Sequence, residues 1–127
     1  MASSEPDERI IVSLGGSLLV PEAIDIAFVK AFKKLILEEI KLGRRFILVT
    51  GGGKIARRYI EAAGEVSRIT DDDKDWLGIH ATRMNAHFIR TVFRAHAHPK
   101  INTNPHDLAD FYGAKEAVLV AGGWRPG

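Results

Sequence analysis

The sequence predicts an α/β protein, a parallel sheet covered by helices, on three observations. Three short runs of apolar, β-favouring residues, RIIVSL, RFILVT and EAVLVAGG, each meet glycines at their carboxyl ends. Between them lie segments whose apolar residues recur at helical spacing, and strands alternating with helices build a parallel sheet with helices packed on it. A hydrophobic content of 46% over 127 residues is enough to bury a core.

Residues 1–8 read as a disordered lead-in. The run 9–14 reads as a buried strand stopped by Gly15 and Gly16. From 24 to 42 the residues Ile24, Phe28, Phe32, Leu35, Ile36 and Ile40 mark an amphipathic helix, with Gly43 as its carboxyl cap. A second buried strand follows at 45–50 and a second helix at 54–66. Thr70 and the run Asp71, Asp72, Asp73 supply an N-cap and an acidic first turn. The helix they open should reach about His96, with an apolar stripe of Leu77, Ala81, Met84, Phe88 and Val92. Residues 99–105 read as a loop that leaves room for a short strand at its start. A short helix over 105–113, closed by Gly113, precedes the third apolar strand at 116–123.

The length suits one domain at most. A net charge of +2 with interspersed acids argues against a dedicated nucleic-acid binder, while a pI near 9.0 leaves room for a local anion site. The lack of cysteine excludes disulfides, thiolate zinc sites and cysteine nucleophiles. The polar, acidic start is no signal peptide, and no apolar run approaches the roughly 20 residues of a membrane span. A soluble, cytoplasmic protein is expected.

The recurrent feature is chemical. SLGGS, VTGGGK and VAGGW place bare backbone at the carboxyl ends of three strands, where open parallel sheets bind ligands. A glycine turn feeding a helix presents unpaired N–H groups to an anion. It can equally be only a turn, and for GGGK alone the two readings weigh about the same. Lys54, Arg57 and Arg58, close together on the following helix, favour phosphate, although a solvated face explains Arg58 as well. Neither the P-loop pattern nor the dinucleotide fingerprint is present. His96 and His98 lack a third ligand and read as surface residues, and His80 as a packed or interface residue. Capping accounts for the aspartate run, so no metal site is assigned. Thr82, Arg83 and Asn85 stand equally between supporting the site or an interface and facing solvent.

The blocks VSLGGSLLVPE, VTGGGKIARRYIEAA, DWLGIHATRMNA and VAGGWRPG, in this order, resemble the amino acid kinase superfamily (carbamate kinase-like fold), most closely its archaeal-type uridylate kinases. The resemblance covers nearly the whole chain after residue 9 and is that of the N-terminal, UMP-side portion. It implies phosphoryl transfer from ATP to UMP in pyrimidine nucleotide synthesis, with Mg²⁺ carried by the nucleotide phosphates. By matching motif it implies Gly16, Ser17, Gly53 and Arg57 on the ATP side, and Gly52, Asp75, Arg125, Pro126 and Gly127 on the UMP side. Asp75 would hold the ribose hydroxyls. Many relatives carry a lysine on the first strand where this chain has Ser13, which makes Lys54 or Arg57, together with Gly16, the candidates for catalysis. Trp124 stands where relatives often carry a smaller residue. The ATP-binding C-terminal half is not in this sequence, so a truncated chain, inactive alone, is expected, with a complementary half or a homo-oligomer (dimer to hexamer) as partner. The alternatives are another small-molecule kinase of the superfamily, or a non-catalytic anion- or nucleotide-binding or storage protein.

Overall fold

A computed structural model describes residues 8–124, apart from 108, 110 and 112. The elements are β1 (Ile10–Leu14), a single-turn α1 (Gly16–Leu19), α2 (Ile26–Lys41), β2 (Phe46–Thr50), α3 (Gly53–Val66), α4 (Asp71–Val92) and β3 (Val118–Ala121). The three strands are parallel in the order β1-β2-β3, in register Ile10–Phe46–Val118 and Val12–Leu48–Val120. Isolated parallel bridges at Ala97 and Asn102 extend the pairing beside β3, which places extended backbone just ahead of the loop and within it.

Strand alternation gives each face its residues. Val12, Leu14, Phe46, Leu48, Val118 and Val120 face α1, α2 and α4, meeting Leu19, Val29, Ile36, Ala86, Ile89 and Phe93 in the main core. The opposite face buries Ile47, Leu119 and Ala121 under Phe111 and Ala114. That cover lies over β2 and β3, so β1 departs from the buried strand expected of it. Ile11 is 60% exposed because β1 is the sheet edge and nothing described packs on its second face, and Ile10, at the start of the strand on the core face, is 46% exposed.

Local signals set the helix ends. Asp25 caps α2 by accepting from the Phe28 N–H at 3.0 Å. At its far end the Gly43 N–H donates to Ile40 O and the Arg44 N–H to Glu39 O, a Schellman closure that uses the positive φ of Gly43. Thr70 caps α4, as the sequence predicts, and the structure adds a reciprocal capping box with Asp73. Helix α4 ends at Val92 rather than near His96. Of the short helix expected over 105–113, Pro105–Asp107 form a 3₁₀ turn, and part of the remainder lies outside the described residues.

The inward face of α4 is the main correction. Ile79, Asn85, Ala86 and Ile89 are buried, whereas Met84 of the expected stripe is 71% exposed and Leu77, Ala81, Phe88 and Val92 are only half-buried. The buried face includes an asparagine, which an apolar pattern does not register. Among the described residues no helix is long and apolar enough to cross a membrane.

Candidate active site

Two glycine turns meet backbone to backbone at the carboxyl edge of the sheet. A Cβ on Gly16 would lie 2.3 Å from Gly53 N, and one on Gly53 would lie 2.6 Å from Gly16 C. Gly53 also has φ +62°, which side-chain-bearing residues rarely adopt. Packing alone therefore demands glycine at both positions. Gly16 is buried against this neighbour, with its Cα turned to the second turn.

Beside the contact lies an open cavity of about 460 Å³, whose lining includes Gly52, Gly53, Arg57, Asp75, Thr82 and Trp124. Helix α3 opens on it at Gly53. No side chain caps this helix and no acidic residue occupies its first turn, so its first N–H groups and positive dipole end are available to an anion. Arg57, one turn further on, reaches the same space.

Two side chains and a backbone carbonyl of α4 hold the turns in place. The Asn85 amide donates to Gly51 O at 2.8 Å, the Arg83 guanidinium to Gly123 O at 3.2 Å, and the Thr50 hydroxyl to Thr82 O at 3.3 Å. Space is tight here too: a Cβ on Gly52 would lie 3.0 Å from the Thr82 hydroxyl, and one on Gly122 2.7 Å from that of Thr50. Thr82, Arg83 and Asn85 thus face the glycine edge rather than solvent.

The three cations of α3 separate. Lys54 pairs with Glu22 at 3.5 Å, and Arg58 pairs with the same carboxylate and donates to the Glu22 carbonyl at 3.3 Å. The hydrogen bond and charge of Arg58, then the charge of Lys54, hold the Glu22 carboxyl below its ordinary 4.5. Arg57 has no carboxylate partner among the described residues and lies on the cavity. The geometry thus brings together Gly52, Gly53, Arg57 and Asp75. It leaves Gly16 behind Gly53, Ser17 exposed outside the lining, and Lys54 turned to Glu22. Arg125, Pro126 and Gly127 lie outside the described residues.

Sequence reasoning passed over Lys74 and Gly78 on the lining, and Asn102 behind Trp124. Lys74 sits in a run already explained by capping, and Asn102 in a loop without periodicity. Of the histidines, His80 is exposed with its ring 5.7 Å from Trp76, and His98 packs on Phe111 with ring centroids 4.8 Å apart.

A parallel sheet covered by helices, with a helix end and an arginine converging at its carboxyl edge, defines an α/β class whose sheet edge can offer an anion site. Within that class the chain belongs to the amino acid kinase family, which it matches over residues 8–123. It is 37% identical to the uridylate kinase of Thermococcus kodakarensis and 36% identical to that of Thermococcus gammatolerans, each match taking 94% of this chain and 52% of the relative. Among solved structures, the uridylate kinase of Archaeoglobus fulgidus superposes with a TM-score of 0.78 at 32% identity, over 94% of this chain and 53% of that one. The chain therefore spans about half the length of the curated relatives it matches.

Proposed function

We propose that this chain forms the acceptor side of a uridylate kinase, binding UMP for phosphoryl transfer from ATP to give UDP. The observation that carries the reading is the convergence of the uncapped α3 terminus, Arg57 and Asp75 on one cavity. A cavity of about 460 Å³ is within the range of small-ligand sites. In this reading the UMP phosphate sits at Gly52 beside the α3 terminus, Gly53 faces the ATP side, and Asp75 accepts hydrogen bonds from the ribose hydroxyls. Arg57 neutralises the phosphoryl group in transfer. Arg125, Pro126 and Gly127 belong to the UMP-binding set by the motif they match.

Phosphoryl transfer through a loose transition state asks for positioning and charge stabilisation more than for a nucleophilic side chain. Backbone N–H groups and one arginine meet that demand, with Gly16 and Ser17 on the donor side of Gly53. Lys54, tied to Glu22, takes a lesser part. Mg²⁺ is assigned to the ATP phosphates, where it offsets their charge. Most of the ATP site is assigned to sequence beyond this span of the relatives, reached through a complementary half or an oligomer.

Ser13 and Trp124 favour a second reading, nucleotide binding without transfer on the same fold. Calorimetric titration with UMP, UDP and ATP tests the main proposal. UMP binding that weakens in Asp75→Asn supports it, and no binding of any nucleotide sinks it. UDP formation from UMP and ATP, alone or with the complementary half, decides between transfer and binding.

A further inference from the structure

Trp124 stands on the wall of the acceptor cavity, held from behind. Its indole N–H donates to Asn102 Oδ1 at 2.8 Å and also approaches the Asn102 carbonyl at 3.3 Å. Asn102 is itself fixed in the sheet: its N–H donates to Val120 O at 2.8 Å, and its carbonyl accepts from the Gly122 N–H at 3.1 Å. It is only 2% exposed. Its Nδ2 has no partner among the described residues, an unfavourable condition for a buried donor. Turning the amide over would set that donor against the indole donor instead. The side chain is thus oriented to hold Trp124, while the ring remains 37% exposed and lines the cavity.

A ring anchored at its polar edge keeps its apolar faces for a partner. The phosphate end of the cavity is the α3 terminus, and Asp75 and Trp124 also line it. We propose that Trp124 is a specificity-determining residue of the acceptor site, stacking on a planar base so that a nucleoside monophosphate is preferred over a sugar phosphate without a base. This inference rests on the acceptor reading above. It explains why a large residue is accommodated beside the glycines: the ring serves as a platform rather than a plug.

Calorimetric titration of the full chain with UMP and with ribose 5-phosphate tests it, using wild type, Trp124→Ala, Trp124→Phe and Asn102→Ala. Wild type should prefer UMP. Trp124→Ala should lose about tenfold in UMP affinity, in keeping with base–aromatic stacking, and little for ribose 5-phosphate. Trp124→Phe should retain most of the preference, and Asn102→Ala should fall between. An unchanged preference in Trp124→Ala overturns the inference, as does tighter binding of both ligands, which marks the ring as an obstruction. If UMP binds and Asp75→Asn weakens it while Trp124→Ala does not, stacking alone fails. If wild type binds neither ligand, the acceptor reading fails and the inference with it.

Discussion

Helices α3 and α4 begin in opposite ways, although both must satisfy the same first-turn N–H groups. Helix α4 does so internally: Thr70 accepts from the Asp73 N–H, Asp73 accepts from the Thr70 N–H, and three aspartates face the positive dipole end. Helix α3 starts from glycine, without a side-chain cap or an acid in its first turn, and carries Arg57 one turn along. Where one helix end is closed by its own side chains and a neighbouring one is left open, the open end is the one able to meet an anion. The contrast also separates stability from binding. Changes at the α4 cap should affect folding, and exposed groups at the α3 terminus should affect binding.

The largest expected effect is where that separation breaks. Gly53→Ala combines a positive φ with overlap on the Gly16 backbone and should destabilise the fold by about 3 kcal/mol, read from urea midpoints. The loss of UMP binding should accompany it. Gly64→Ala, also in α3 but with open space around it, should instead stabilise by about 0.5 kcal/mol. Equal effects at the two glycines would refute the packing argument.

Arg57→Gln comes next. Losing a charge-assisted contact to nucleotide phosphate should weaken nucleotide binding by about 2 kcal/mol, roughly thirtyfold, with the melting temperature unchanged. Lys54→Gln should do much less, since its ammonium faces Glu22. Calorimetry on the two variants ranks them directly.

At the closed terminus, Thr70→Ala should cost about 1 kcal/mol of stability and leave UMP affinity intact. The smallest effect is a pH dependence. Hydrogen bonds from the Thr70 N–H and hydroxyl lower the Asp73 carboxyl below its ordinary 3.8. A lowered native pKa means that this carboxylate stabilises the fold above the unfolded value and stops doing so as pH falls through the native one. Asp73→Asn should therefore narrow the stability gap to wild type below about pH 3.8, measured by thermal melts across that range.

Much of this was legible in the residues. The three strands, the helix over α2, the Thr70 cap and the glycine turns follow from short-range rules: apolar runs, helical spacing and the special conformations of glycine. The buried face of α4 was not. Asn85 faces inward because the Gly51 carbonyl accepts from its amide, and the Thr82 hydroxyl lies against Gly52; hydropathy periodicity does not register such polar contacts. The exposure of β1 escaped for a related reason: an apolar run reports fitness for burial, not whether another segment covers it.

By itself, then, the sequence determined the three strands, the three long helices between them, the glycine turns and the Thr70 cap. Only the tertiary structure decided the rest. It locked Gly16 against Gly53, drew Lys54 and Arg58 to Glu22, left Arg57 on the cavity, and set Trp124 upright on Asn102. Each of the first set is a property of a few neighbouring residues. Each of the second depends on partners distant in the chain, which meet only once the parallel sheet has brought its carboxyl ends together.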